Sequence, residues 1–268
     1  QVLEKVHYQE DPPLAMDERT LTLPRRLPDA KRLAWADAIL QKMEGRRPKS
    51  RVEVYAEQAR YIHENPNEKL VLQALRIGDL AITALPTEVY SITGLKLKAQ
   101  SPFPATFNIE LANGAAGYIP PPHQHDLGGY TTWPARTAGL EVQAEPKIVD
   151  TLLNSLARIA GKARVVPRDE VGTHGKNILD QEPKAWWRMS AHSENQIKDA
   201  SGNNATGSLE PGYALFLPGP EGKTRNELAS TERGNRAVHC AGGRMISNQP
   251  ELNRGDDYSV SLWFWNAM

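Results

Sequence analysis

Leu75-Arg-Ile-Gly-Asp-Leu-Ala-Ile-Thr-Ala-Leu-Pro-Thr-Glu-Val-Tyr90 is the stretch on which the fold of this chain turns. Val71, Ala74, Leu75 and Ile77 lead into Gly78-Asp79, and a second apolar run from Leu80 to Leu85 follows. Two such runs around a two-residue turn predict a β-hairpin. Glycine at the first turn position suits the type II′ geometry, which needs positive φ there. The second run gives way to Pro86-Thr87-Glu88, so a carboxylate stands just past a buried strand. Ligand sites in α/β sheets gather at strand ends. An acid near a helix start is equally explained by the helix dipole.

Working outward, the period changes from two to that of a helix. Leu33, Ala36, Ile39, Leu40 and Met43 share one helical face over 30–44, behind a cap at Pro28-Asp29. Ser50-Arg-Val-Glu53 has capping-box spacing and opens a helix that Asn65-Pro66 stops. Residues 88–98 predict a short helix interrupted by Gly94. Phe107, Ile109 and Leu111 alternate with Asn108 and Glu110, predicting a strand with one buried face. Pro146 opens and Gly161 closes a helix with the stripe Ile148, Val149, Leu152, Leu153, Leu156 and Ile159. Residues 1–161 are therefore expected to form an α/β domain. Residues 162–183, charged and without a sustained apolar period, read as a linker. Short strands punctuated by Gly, Asn and Pro follow over 184–268, the pattern of an all-β sandwich.

Composition narrows the function classes. Lys+Arg 32 balance Asp+Glu 32, so no global basic field exists to hold nucleic acid. A mean hydropathy of -0.54 without a long apolar run excludes a transmembrane helix from the pattern. The single cysteine, Cys240, excludes an internal disulfide framework and a cysteine-cluster zinc site. The chain opens on Gln1 and closes just after the aromatic run Tyr258-Ser-Val-Ser-Leu-Trp-Phe-Trp265, a strand pattern that needs further strands to pair with. These ends are those expected of a piece of a longer chain.

Asn113 to Tyr130 is a long connection rich in Gly and Pro, and loops of that length in a compact domain are often functional. It contains His123-Gln-His125, two imidazoles that could converge on a metal from a strand or loop. Asn113-Gly-Ala-Ala-Gly117 lacks the Lys-Ser/Thr of a phosphate loop, and no Gly-x-Ser-x-Gly elbow occurs.

The 75–90 stretch, followed by Asn113, Gly-Tyr118-Ile-Pro and Gly-Gly-Tyr130, resembles the neutral/alkaline (non-lysosomal) ceramidase family. The similarity falls on the C-terminal portion of that family's catalytic domain, here roughly residues 1–160. The resemblance implies hydrolysis of an N-acylsphingosine amide, or a related acyl amide, by a zinc-activated water. It implies Glu88 as the carboxylate ligand, Tyr118 as the tyrosine ligand, and Tyr130 as a hydroxyl donor to the developing oxyanion. It also implies a secreted, periplasmic or cell-envelope protein. Three departures stand out: the histidine ligand motifs and the serine segment are absent, and Thr131 follows Gly-Gly-Tyr130 where an acid is common. With two of at least three zinc ligands present, this chain alone is expected to bind zinc poorly and to lack amidase activity. The oxygens of Glu88 and Tyr118 are expected to converge on one open cleft with Tyr130.

The second part resembles the start of a laminin-G-like (concanavalin A-like) jelly roll through Ala185-Trp-Trp-Arg188, Asp199-Ala-Ser-Gly-Asn-Asn204, Arg236 to Gly243 and Tyr258 to Trp265. That resemblance implies a glycan- or surface-binding module, with calcium as a candidate ion on Asp199, Asn203 and Asp256. Asx-rich turns account for the same residues. Two alternatives to the hydrolase stay open at this point: a non-catalytic surface or glycan-binding protein with a degenerate first domain, and a structural domain with an ordinary loop at 113–130.

Overall fold

The computed structural model describes residues 10–165, 171–190, 195–219, 236–240, 242–247, 257–262 and 264. The architecture is mixed helix and sheet, in two compact units, Gln1–Arg168 and Asp169–Met268. Among the described residues no helix is long and apolar enough to cross a membrane.

The first unit is built on a four-stranded sheet. Strands β1 (Leu14–Pro24), β2 (Asn67–Ile77) and β3 (Leu80–Ala84) pair antiparallel. Gly78 takes φ +62 in the turn between β2 and β3, as the type II′ reading requires. Strand β5 (Ala105–Ile109) joins β3 in parallel, giving the order β1-β2-β3-β5. A parallel partner needs a crossover. It is supplied by the short strand β4 (Glu88–Val89) and helix α3 (Ser91–Gln100). Gly94 sits inside α3 without interrupting it.

Helices α1 (Ala30–Met43) and α2 (Arg51–Glu64) form a hairpin between β1 and β2. Their starts follow the sequence signals. Asp29 accepts a hydrogen bond from the Arg32 amide at 2.7 Å, and Ser50 accepts one from the Glu53 amide at 3.3 Å. The Glu53 carboxylate reaches back one residue beyond the usual capping box, to the Lys49 amide at 2.5 Å.

Helix α5 (Ala144–Ala160) covers one face of the sheet. Its stripe Ile148, Leu152, Leu153 and Leu156 meets Leu70, Leu72 and Ala74 of β2 and Ala81 of β3, all fully buried. The Lys96 ammonium of α3 lies 2.8 and 2.9 Å from the two Glu145 carboxylate oxygens, and Thr93 donates to the same carboxylate at 2.9 Å. This ion pair is buried from both sides and ties α3 to α5.

The opposite face differs. Cross-strand partners share a face, so the register Leu14↔Ile77, Met16↔Leu75, Leu75↔Ile82 and Ile82↔Phe107 puts these side chains on one side. Leu14, Met16, Ile77, Phe107 and Ile109 are exposed there. The expectation that Phe107, Ile109 and Leu111 form a buried strand face is therefore corrected. Thr106 and Asn108 occupy the helix-covered side, where Thr83 donates to the Asn108 side chain at 2.9 Å.

In the second unit, α6 (Thr173–Leu179) falls inside the 162–183 stretch read as a linker. Strands β7 (Gln196–Ile197), β8 (Gly207–Leu209), β9 (Tyr213–Pro218), β10 (Arg236–Cys240) and β11 (Met245–Ser247) form two small antiparallel sheets, ordered β11-β8-β7 and β10-β9. Ile197, Ala205, Leu209 and Leu215 are buried. Trp187 touches the sheet region through one bridge to Asp199 and through its indole N–H, which donates to Ala205 at 2.6 Å. The closing aromatic run is a second correction. Tyr258, Val260, Leu262 and Phe264 are exposed and pair with no strand among the described residues. A jelly roll is more than these strands amount to.

Candidate functional site

Past β3 the backbone turns through Pro86 and Thr87, both buried, and enters β4. Its partner is β6 (Tyr118–Ile119), which runs parallel to it in the register Glu88↔Tyr118. The Glu88 amide donates to Gly117 O at 2.9 Å, and the Ala116 amide to Pro86 O at 2.7 Å. An acid and a phenol thirty residues apart in the sequence thus project side by side.

Gly117 makes that approach feasible. Its φ is +86, and a Cβ there would lie 2.3 Å from Thr137 O. No side chain fits. Sequence reasoning passed over this position; the signal was a glycine directly before the tyrosine.

The electrostatics follow from the juxtaposition. Hydrogen bonding with the Glu88 carboxylate, then desolvation, then the charges of Glu88 and Tyr130, push the Tyr118 phenol above its ordinary value. The shift favours the protonated phenol beside the carboxylate. Tyr130 packs edge-on against Tyr118, ring centres 5.6 Å apart. It continues an aromatic row through Trp133 (6.1 Å) to Tyr55 of α2 (6.1 Å). Tyr130 is 61% exposed, with its ring held edge-on by Tyr118 and Trp133. Thr131, the departure from the family pattern, shares a 2.8 Å hydrogen bond with Tyr90 at the start of α3.

The structure thus brings together Glu88, Tyr118 and Tyr130. It separates His123 from His125. Both lie in the six-residue helix α4 (Pro122–Leu127), where residues two apart point in different directions. Burial, and then the Lys96 charge, lower His123; burial, and then the Arg26 charge, lower His125. Acids act in the other direction, Glu145 and Asp126 on His123 and Asp126 on His125.

Two oxygen donors side by side fit part of the shell of a divalent cation. Among the described residues no group of three or more His, Cys, Asp or Glu side chains gathers around one point. In the second unit, both Asp199 oxygens are engaged. Oδ1 accepts from the Trp186 and Ser201 amides at 2.8 and 2.9 Å; Oδ2 accepts from Ser201 Oγ and the Ala205 amide at 2.7 and 3.0 Å. Asn203 donates its amide to Pro183 O at 3.0 Å. These bonds organise a turn, as the Asx reading expects; Asp256 lies outside the described residues.

No family model and no curated protein matches the chain. Solved structures with partial similarity include the neutral ceramidase from Pseudomonas aeruginosa, 14% identical over 57% of this chain and 29% of that chain, with a TM-score of 0.34. Another is a ceramidase complexed with C2, 15% identical over 37% of this chain and 16% of that chain, with a TM-score of 0.31. The chain spans less than a third of either structure.

Proposed function

We propose that the first unit is the part of a zinc-dependent amidohydrolase that supplies Glu88 and Tyr118 as metal ligands and Tyr130 as an oxyanion donor. Its substrate in this proposal is an N-acylsphingosine or a related acyl amide. The observation that supports this reading is the parallel register of β4 and β6, which sets a carboxylate beside a phenol under an open tyrosine.

A zinc ion held there would lower the pKa of a bound water to about 7 and polarise the amide carbonyl. The work of the chain's own residues is distinct from that. Glu88 contributes a fixed negative charge at the floor. With zinc bound, Tyr118 would serve as an oxygen ligand beside Glu88, whose carboxylate would oppose loss of the phenol proton. Tyr130, anchored by rings on both sides, donates its hydroxyl hydrogen to the oxygen on which charge develops.

The test is amide hydrolysis by the protein from its complete reading frame. Glu88→Gln and Tyr118→Phe are expected to lower both zinc content and turnover. Tyr130→Phe is expected to leave zinc content unchanged and to cost about 10²–10³ in kcat, the usual loss for one oxyanion donor. Hydrolysis that is unaffected by Glu88→Gln and Tyr118→Phe would overturn the proposal. The same outcome would favour a structural role for this unit, with an ordinary loop at 113–130.

A further inference from the structure

A cavity of about 550 Å³ opens between the α1–α2 hairpin and the Trp133-Pro134 turn. Its body is apolar: Tyr55, Ala59, Ile62 and Trp133 line it. Pockets of this size accept a drug-sized molecule, and a few polar groups set its orientation. The polar groups here are Arg26, Asp29 and Arg32. Asp29 is committed to the start of α1, and the Arg32 guanidinium lies over the Trp35 ring at 3.6 Å.

Arg26 is the unusual member. Its Nε donates to Leu140 O at 3.0 Å, and its Nη2 donates to Thr132 O at 2.7 Å and Ala138 O at 2.6 Å. These neutral carbonyls position the guanidinium without neutralising it. Among the described residues no carboxylate lies within ion-pair distance, and Nη1 has no hydrogen-bond partner. Burial alone lowers its pKa, with no acid acting in the other direction. The charged and titratable groups around it are Asp29 and Arg32 on the cavity wall and His125, the last held below its ordinary value by burial and by Arg26. A half-buried cation without a counter-charge is costly and calls for an anion.

We propose that this cavity binds an amphiphilic carboxylate of the fatty-acid type, its head on Arg26 Nη1 and its chain against Tyr55, Ile62 and Trp133. The site is separate from the Glu88–Tyr118 pair and does not depend on the hydrolytic reading. It adjoins that site through Trp133, whose ring meets Tyr130.

Calorimetry on the full 268-residue chain with decanoate, decanol and decyltrimethylammonium, each below its micelle concentration, tests this. Decanoate is expected to bind saturably, at least about tenfold tighter than the cation, because only it answers the guanidinium charge. Leu27→Glu places a carboxylate at the cavity mouth, at a position more than half exposed, where folding is not at stake. It should weaken decanoate at least about tenfold by occupying Arg26. Arg26→Met should do the same if it folds. Absent decanoate binding, equal binding of the cationic amphiphile, or unchanged binding in Leu27→Glu would each overturn the proposal.

Discussion

The two faces of the β1-β2-β3-β5 sheet are made by alternate residues of the same four strands, yet they live in different solvents. One face carries Leu70, Leu72, Ala74 and Ala81 under α5 and is fully buried. The other carries Leu14, Met16, Leu75, Ile77, Ile82 and Phe107, and much of it is open to water. Apolar character alone does not separate them. What separates them is which side receives the helices, and the crossover through α3 together with the α5 stripe decides that.

The comparison breaks or sharpens under substitution. The largest effect is expected beneath the covered face, where Lys96→Met leaves the Glu145 carboxylate buried without its cation. Losing one partner of such a pair costs about 3–5 kcal/mol. Chemical denaturation should show this loss, and Lys96→Met/Glu145→Leu should recover most of it. Next comes Leu72→Ala, which opens a cavity under α5 and should cost about 2–5 kcal/mol. On the open face, Met16→Thr and Phe107→Thr should change stability by no more than about 0.5 kcal/mol. A loss near that of Leu72→Ala would mean that the open face is covered in solution.

The smallest effect belongs to a charge at the edge of the covered face. Arg158 donates to Asp17 at 2.7 Å and, against the opposing influence of burial, holds its carboxyl well below the usual carboxylate range; Ser155 and Arg19 assist. A depressed folded-state pKa stabilises the fold above the unfolded-state value of about 3.9, and that contribution is lost as pH falls below it. Asp17→Asn should therefore lower the melting temperature at neutral pH, with the gap to the parent protein narrowing as the solution is acidified below pH ~4.

Local chemistry was legible in the sequence. Asp29, Ser50 and Gly78 each act on backbone within four residues of themselves, so their caps and turn could be read directly. The side taken by Phe107 could not, because alternation defines two faces without saying which one a distant helix will cover. The run from Tyr258 has strand composition, but a strand exists only with a partner. At the candidate site, Glu88 and Tyr118 were identified through family likeness, whereas their adjacency depends on a pairing register that no spacing rule encodes. Trp133 and Arg26 were missed because their significance lies in α1 and α2 packing beside a turn a hundred residues away.

The parallel run of β4 and β6 also bears on how this protein tolerates length changes. Because the pair is fixed by ladder bonds at its own position, the stretch between Tyr90 and Gly117 can gain or lose residues away from α3 and β5 while acid and phenol stay abreast. One extra residue between Gly117 and Tyr118 has the opposite outcome, since it rotates the phenol to the far side of its strand. The site is robust to remodelling of the long excursion and brittle to a single insertion at the hinge of its own ladder.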